Sequence, residues 1–127
     1  MNYIYVMIGG ALGALMRYGV GRWCEGVVAM GMPVGTFVVN VVGCLLLGVL
    51  TACGELCPQI PRGIMLLLSV GMCGAFTTFS TFSAESVRMA DEGHLLAMLS
   101  YVVASIVMGF LLFYGGRAAS TFLLTKL

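Results

Sequence analysis

Charge is the scarcest property of this sequence. Of 127 residues only six are Lys or Arg and five are Asp or Glu, 9% in all, where a soluble domain carries about a quarter. Hydrophobic residues make up 61% and the mean hydropathy is +1.08, so the chain reads as an integral membrane protein. A formal net charge of +1 argues against nucleic acid or an acidic partner. There is one histidine, His94, and none of the five cysteines (Cys24, Cys44, Cys53, Cys57 and Cys73) stands in a CxxC. That spacing argues against zinc or a redox pair, and the thiols read as small apolar residues in or near helices. No nucleophile–base or metal cluster is visible, so an enzyme is the least expected class. The start, MNYIYVM, lacks a positive n-region and a small-residue cleavage site before the first Arg. It reads as a retained first span and not as a signal peptide.

What is present is a set of four apolar segments, each near the ~20 residues that a helix needs to cross the hydrocarbon core. They are placed at about 3–20, 34–52, 62–86 and 95–114, and they use nearly the whole of a single 1–127 domain. The expected fold is all-α, a bundle of four transmembrane helices joined by short loops. In the first segment Gly9 and Gly13 form a GxxxG, extended by Gly10 and Ala14, which reads as a helix-packing face. Arg17, Tyr18, Arg22 and Trp23 follow as a basic–aromatic cluster suited to the membrane interface. Gly31, Pro33 and Gly35 predict a turn, and Gly54, Glu55, Pro58 and Pro61 a loop. Glu85 and Arg88, three residues apart, read as an interfacial pair.

The third segment carries the most informative stretch, Gly71–Ser83, GMCGAFTTFSTFS. Gly71 and Gly74 loosen the helix, and the Gly71–Thr77 region is expected to leave helical geometry and expose carbonyls. Thr77, Thr78, Ser80, Thr81 and Ser83 bring hydroxyls to a depth where polar groups are expensive. Phe79 and Phe82 are three apart and project from nearly one side. Elsewhere Thr36 and Asn40 stack at i, i+4, as do Tyr101 and Ser105. An amide in a span can glue two helices or line a polar path, and Thr36 on the same face favours the path. No Asp, Glu or Lys falls at the centre of any segment. Neutral N–H and O–H donors and positive ring edges suit a small anion that must be dehydrated but not held. A unit of four helices is too small to enclose such a path and remain packed, so an oligomer is expected.

The motifs GGALGALMRY, PVGTFVVNVVG and CGAFTTFSTFSAE, in this order, resemble the CrcB/Fluc family of bacterial fluoride channels over essentially the whole chain. Ala75 stands where the family's commoner spelling has a second glycine. The resemblance implies a multi-pass protein of the bacterial plasma membrane, passively exporting cytoplasmic fluoride and so protecting against its toxicity. It implies an antiparallel, dual-topology homodimer with the third helix broken at its centre. By match of motif, the fluoride pore is lined by Asn40, Phe79, Phe82, Tyr101 and Ser105, with Thr36 added from its place on the Asn40 face. Arg17 and Glu85 fall at the vestibule. Backbone carbonyls of Gly74 and Thr77 hold a structural sodium ion. Neutral oxygen ligands are consistent with such a hard monovalent cation.

The charges bear on topology independently of the family. The side shared by the N-terminus, second loop and C-terminus holds Arg62, Arg117 and Lys126; the other holds Arg17, Arg22 and Arg88. Because the Lys/Arg bias sets orientation, three against three favours neither. Two rivals stand beside the channel reading: a four-helix drug/proton antiporter and a non-transporting accessory subunit. The antiporter needs a carboxylate in its first span, and none lies between Tyr3 and Arg17.

Overall fold

The computed structural model describes residues 1–29 and 31–126. It contains four helical stretches long and apolar enough to cross a membrane: Asn2–Trp23, Val34–Leu56, Arg62–Asp91 and Leu95–Leu124. The protein is therefore a multi-pass membrane protein. The first, second and fourth stretches are the single helices α1 (Asn2–Trp23), α2 (Val34–Leu56) and α6 (Leu95–Leu124). The third is assembled from pieces. These are α3 (Arg62–Met65), a segment of wider π-type turns over Leu66–Cys73, α4 (Gly74–Phe76) and α5 (Phe79–Asp91). Of the Gly71–Thr77 region, expected to leave helical geometry, residues 71–76 are helical and only Thr77 departs. The extended backbone is confined to Thr77 (φ −74°, ψ 156°) and Thr78 (φ −148°, ψ 115°).

The first loop holds an element that the sequence reading did not separate from a turn. Here β1 (Val28–Ala29) pairs antiparallel with β2 (Met32–Pro33), Val28 opposite Pro33 and Ala29 opposite Met32. Gly31, at φ 80°, takes the left-handed backbone that such a tight reversal requires. A two-residue strand is too short to show alternation in sequence, which is why only the turn was legible.

Two helix pairs dominate the packing: α1 against the third stretch, and α2 against α6. Both depend on glycine. A Cβ at Gly9 would fall 2.0 Å from the Leu67 carbonyl oxygen, and one at Gly13 2.1 Å from that of Met72. The two carbonyls are five residues apart and the glycines four, so one wide turn of the third stretch matches one α-turn of α1. The small face does not extend to Gly10, where an added Cβ would meet nothing within 4 Å. At the other contact, Gly48 would collide with the Phe113 carbonyl and Gly116 with that of Leu45.

Little apolar surface is fully enclosed. Val39, Ala52, Cys73, Phe76, Met89 and Tyr101 form the buried centre, while most of α1 and α6 faces outward, as suits lipid or another subunit. The helices outrun the hydrophobic segments that announced them. α6 continues to Leu124, well past the expected end near 114, and on this extension Arg117 donates to both carboxylate oxygens of Glu55 on α2 (3.1 and 2.9 Å). At its far end the Lys126 ammonium lies 3.9 Å from the centre of the Phe122 ring.

Candidate functional site

Most of the polar residues singled out from the sequence, Ser105 excepted, gather around the join between α4 and α5. Its backbone is held by one side chain. Asn40 Oδ1 accepts from the Thr78 N–H at 2.8 Å, and Asn40 Nδ2 donates to the Thr78 carbonyl at 3.1 Å. The amide thus pairs with Thr78 much as a strand neighbour would. Thr78 in turn is the N-cap of α5: its Oγ1 accepts from the Thr81 N–H at 3.2 Å. The rule that a Ser or Thr precedes a helix start marks Thr78 in the sequence. Five hydroxyls within seven positions, Thr77 to Ser83, blur that signal. Thr77 and Ser83 return to their own helices, bonding the carbonyls of Cys73 and Phe79.

These bonds have a further effect on the backbone. In an α-helix the carbonyl of residue i accepts from the N–H of residue i+4. The donors due to Gly74 and Thr77 are the N–H groups of Thr78 and Thr81. They bond to Asn40 and to the Thr78 hydroxyl instead. Both carbonyls therefore lose their helical donors, and Gly74 is exposed, with nothing within 4 Å of an added Cβ.

Beside the join lies a second cluster. Glu85 Oε1 accepts from the Thr36 hydroxyl and Oε2 from the Tyr101 hydroxyl, each at 2.9 Å. The expected Glu85–Arg88 pair is not among the ion pairs of the described residues. An i, i+3 pair along one helix is weak, and hydroxyls from α2 and α6 claim the carboxylate. The Glu85 carboxylate thus ties the polar residues of α2 and α6 together. The Tyr101 ring, fully buried, stacks at a tilt on Phe82 with centroids 5.1 Å apart, and Phe82 lies 6.0 Å from Phe79. A row of three rings crosses from α6 to α5 and ends at Phe79, which is 81% exposed.

A cavity of about 530 Å³ opens beside this cluster, with Arg17, Arg88, Thr36, Thr81 and Glu85 in its wall. Among the described residues neither Arg17 nor Arg88 has a carboxylate within 4.0 Å. A smaller cavity of about 290 Å³ is lined by Asn40, Gly43, Gly74, Thr77 and Phe79. Ser105 sits apart, in a groove between α2 and α6 with Cys44 and Phe110. Its Oγ is buried without a hydrogen-bond partner among the described residues. So Thr36, Tyr101, Phe82 and Glu85 converge on one cluster, and Asn40, Gly74, Thr77 and Phe79 on another. Ser105 joins neither directly.

The donor inventory is narrower than the sequence reading had it. Thr36 and Tyr101 each have one O–H, and both are committed to Glu85. What remains is the second N–H of the Asn40 amide, the Ser105 hydroxyl, the Thr81 hydroxyl (which accepts from that of Thr78) and the ring edges.

The family described as "CrcB-like protein, Camphor Resistance (CrcB)" matches residues 4–117. The chain belongs to this family. It is 41% identical over 115 residues to the Oceanobacillus iheyensis protein named fluoride-specific ion channel FluC, a match covering 91% of this chain and 88% of the relative. A Shewanella halifaxensis protein of the same name is 42% identical over 116 residues, covering 91% and 93%. One from Syntrophotalea carbinolica is 39% identical over 106 residues, covering 84% and 86%.

Replacing Asn40 by Leu strands the N–H and C=O of Thr78, a residue only 7% exposed. Each buried group left without a partner costs about 1–3 kcal/mol. Asn40→Leu should therefore melt well below the wild type in detergent, followed by intrinsic fluorescence. An unchanged Tm would mean that the amide does not hold the join.

Proposed function

We propose that this protein is a fluoride channel that exports cytoplasmic fluoride down its gradient. The observation that carries the reading is the row of rings Phe79, Phe82 and Tyr101, linking two helices beside a join where Asn40 still has an N–H to offer. Ring edges and single neutral donors attract an anion weakly, so an ion can enter and also leave. Arg17 and Arg88 in the cavity wall raise the local anion concentration at its mouth. The names of the relatives support fluoride as the ion.

The same reading makes the active unit an antiparallel pair of chains. The Lys and Arg residues are divided three against three between the two sides, so both orientations are inserted. A pair related by a two-fold axis in the membrane plane covers the exposed Gly74 and Phe79 with the same surface of the partner. There the interruption of the third helix at Thr77 and Thr78 lies against its counterpart. The Gly74 and Thr77 carbonyls, deprived of helical donors, are suited to a hard monovalent cation, because bare carbonyls at this depth need a partner within the protein. A sodium ion bound there satisfies neutral oxygens and fixes the two chains together.

Three measurements test this. Purified protein in liposomes loaded with fluoride should release it, and Phe82→Ile, which keeps bulk but removes the ring edge, should release it at least about tenfold more slowly. Equal release by a correctly folded Phe82→Ile dimer removes the ring edge from the mechanism; no release by the wild type leaves the antiporter or the accessory subunit. Sodium should raise the Tm of the purified dimer where equal choline does not, and identical melting in both salts would exclude the cation. Adding two or three Lys to one side should force a single orientation and abolish release. Release should return only on co-expression with an oppositely biased copy, and full release from one orientation would sink the antiparallel pair.

A further inference from the structure

Gly43 is buried on α2, one helical turn beyond Asn40. A Cβ built there would lie 2.2 Å from Thr77 Cγ2 and 3.5 Å from Phe76 Cδ1. Carbon atoms pack at about 3.5–4.0 Å, so the Thr77 methyl occupies the space that any side chain at 43 would need.

None of the three ways of relieving that overlap is free. Thr is β-branched and stiff at χ1, and its Oγ1 bonds the Cys73 carbonyl at 3.1 Å. Swinging the methyl aside breaks that bond. α2 cannot retreat, because Asn40 holds both peptide groups of Thr78. On its other side, α2 lies against α6 at Gly48 and Gly116 with no room for a methyl group. What is left to move is the backbone of Thr77, the extended residue whose carbonyl has lost its helical donor.

We propose that Gly43 is a positioning residue. By having no side chain, it seats the Thr77 methyl against α2 and so fixes where the Thr77 carbonyl points. Through that carbonyl it sets the cation site and the start of α5, which carries Phe79 and Phe82. The inference rests on the channel and cation reading above, but the seating itself is a contact within one chain.

The test is a rescue. Gly43→Ala should slow fluoride release from liposomes at least about tenfold, the scale that ångström misplacement produces. It should also shrink the rise in Tm that sodium gives. Thr77→Ser deletes only the Cγ2 methyl, keeping the hydroxyl and the carbonyl, and on its own it sets the ceiling for recovery. The double variant Gly43→Ala/Thr77→Ser should recover most of the release and of the sodium response. If Gly43→Ala equals the wild type, or the double variant is no better than Gly43→Ala, the seating is wrong. If Gly43→Ala does not fold, a monodisperse double variant on size exclusion supports it, and an aggregated one overturns it. If the wild type releases no fluoride, the channel reading fails alone. The seating is then judged on Tm, which Gly43→Ala should lower and the double variant restore.

Discussion

A bilayer offers the backbone no water, so every N–H and C=O within it must find its partner inside the protein. Where Thr77 and Thr78 leave helical geometry, that demand falls on the amide of Asn40, which supplies an acceptor and a donor to one residue. The rest of the arrangement depends on this exchange. It ties α2 to the third stretch, and places Gly43 against the Thr77 methyl. It also leaves Thr78 free to cap α5, from whose first turn Phe79 and Phe82 project toward Tyr101. A continuous helix would need none of these partners and would present none of these groups.

The exchange also decides which of two roles the polar residues can fill. Read from the sequence, Asn40 stood between helix glue and a polar lining. Its geometry gives the first role to one N–H and the carbonyl oxygen, and leaves one N–H over. Thr36 and Tyr101 looked like donors to a passing ion, but each has spent its proton on Glu85. A carboxylate that accepts two hydroxyls from two other helices is a structural tie as well as a charge. Ser105, one turn from Tyr101, keeps its proton because no partner lies within reach among the described residues.

The four spans, the Gly9/Gly13 contact and the importance of the 71–83 stretch were legible because they rest on composition and on fixed helical spacing. Helix ends were not, since a helix does not stop where hydrophobicity does; α6 runs on through Arg117, which pairs with Glu55. The interruption was expected over the whole of Gly71–Thr77, and only the last residue of that range departs. Glycine permits a departure from the helix, but here the departure occurs at Thr77 and Thr78, where Asn40 can repair it. The fate of Glu85 was hidden for a related reason. A pattern of i, i+3 shows what a residue can reach on its own helix, while Thr36 and Tyr101 lie 49 and 16 residues away.

The length of α6 has a consequence for the surroundings of the protein. Thirty residues at 1.5 Å each make a rod of about 45 Å, whereas the hydrocarbon core is about 30 Å thick. The surplus carries Arg117, exposed aromatic rings at Tyr114 and Phe122, and Lys126 folded over Phe122. Aromatic and basic groups spaced along the last turns are graded moorings for the headgroup layer. A thicker or thinner bilayer meets a different rung of the same ladder.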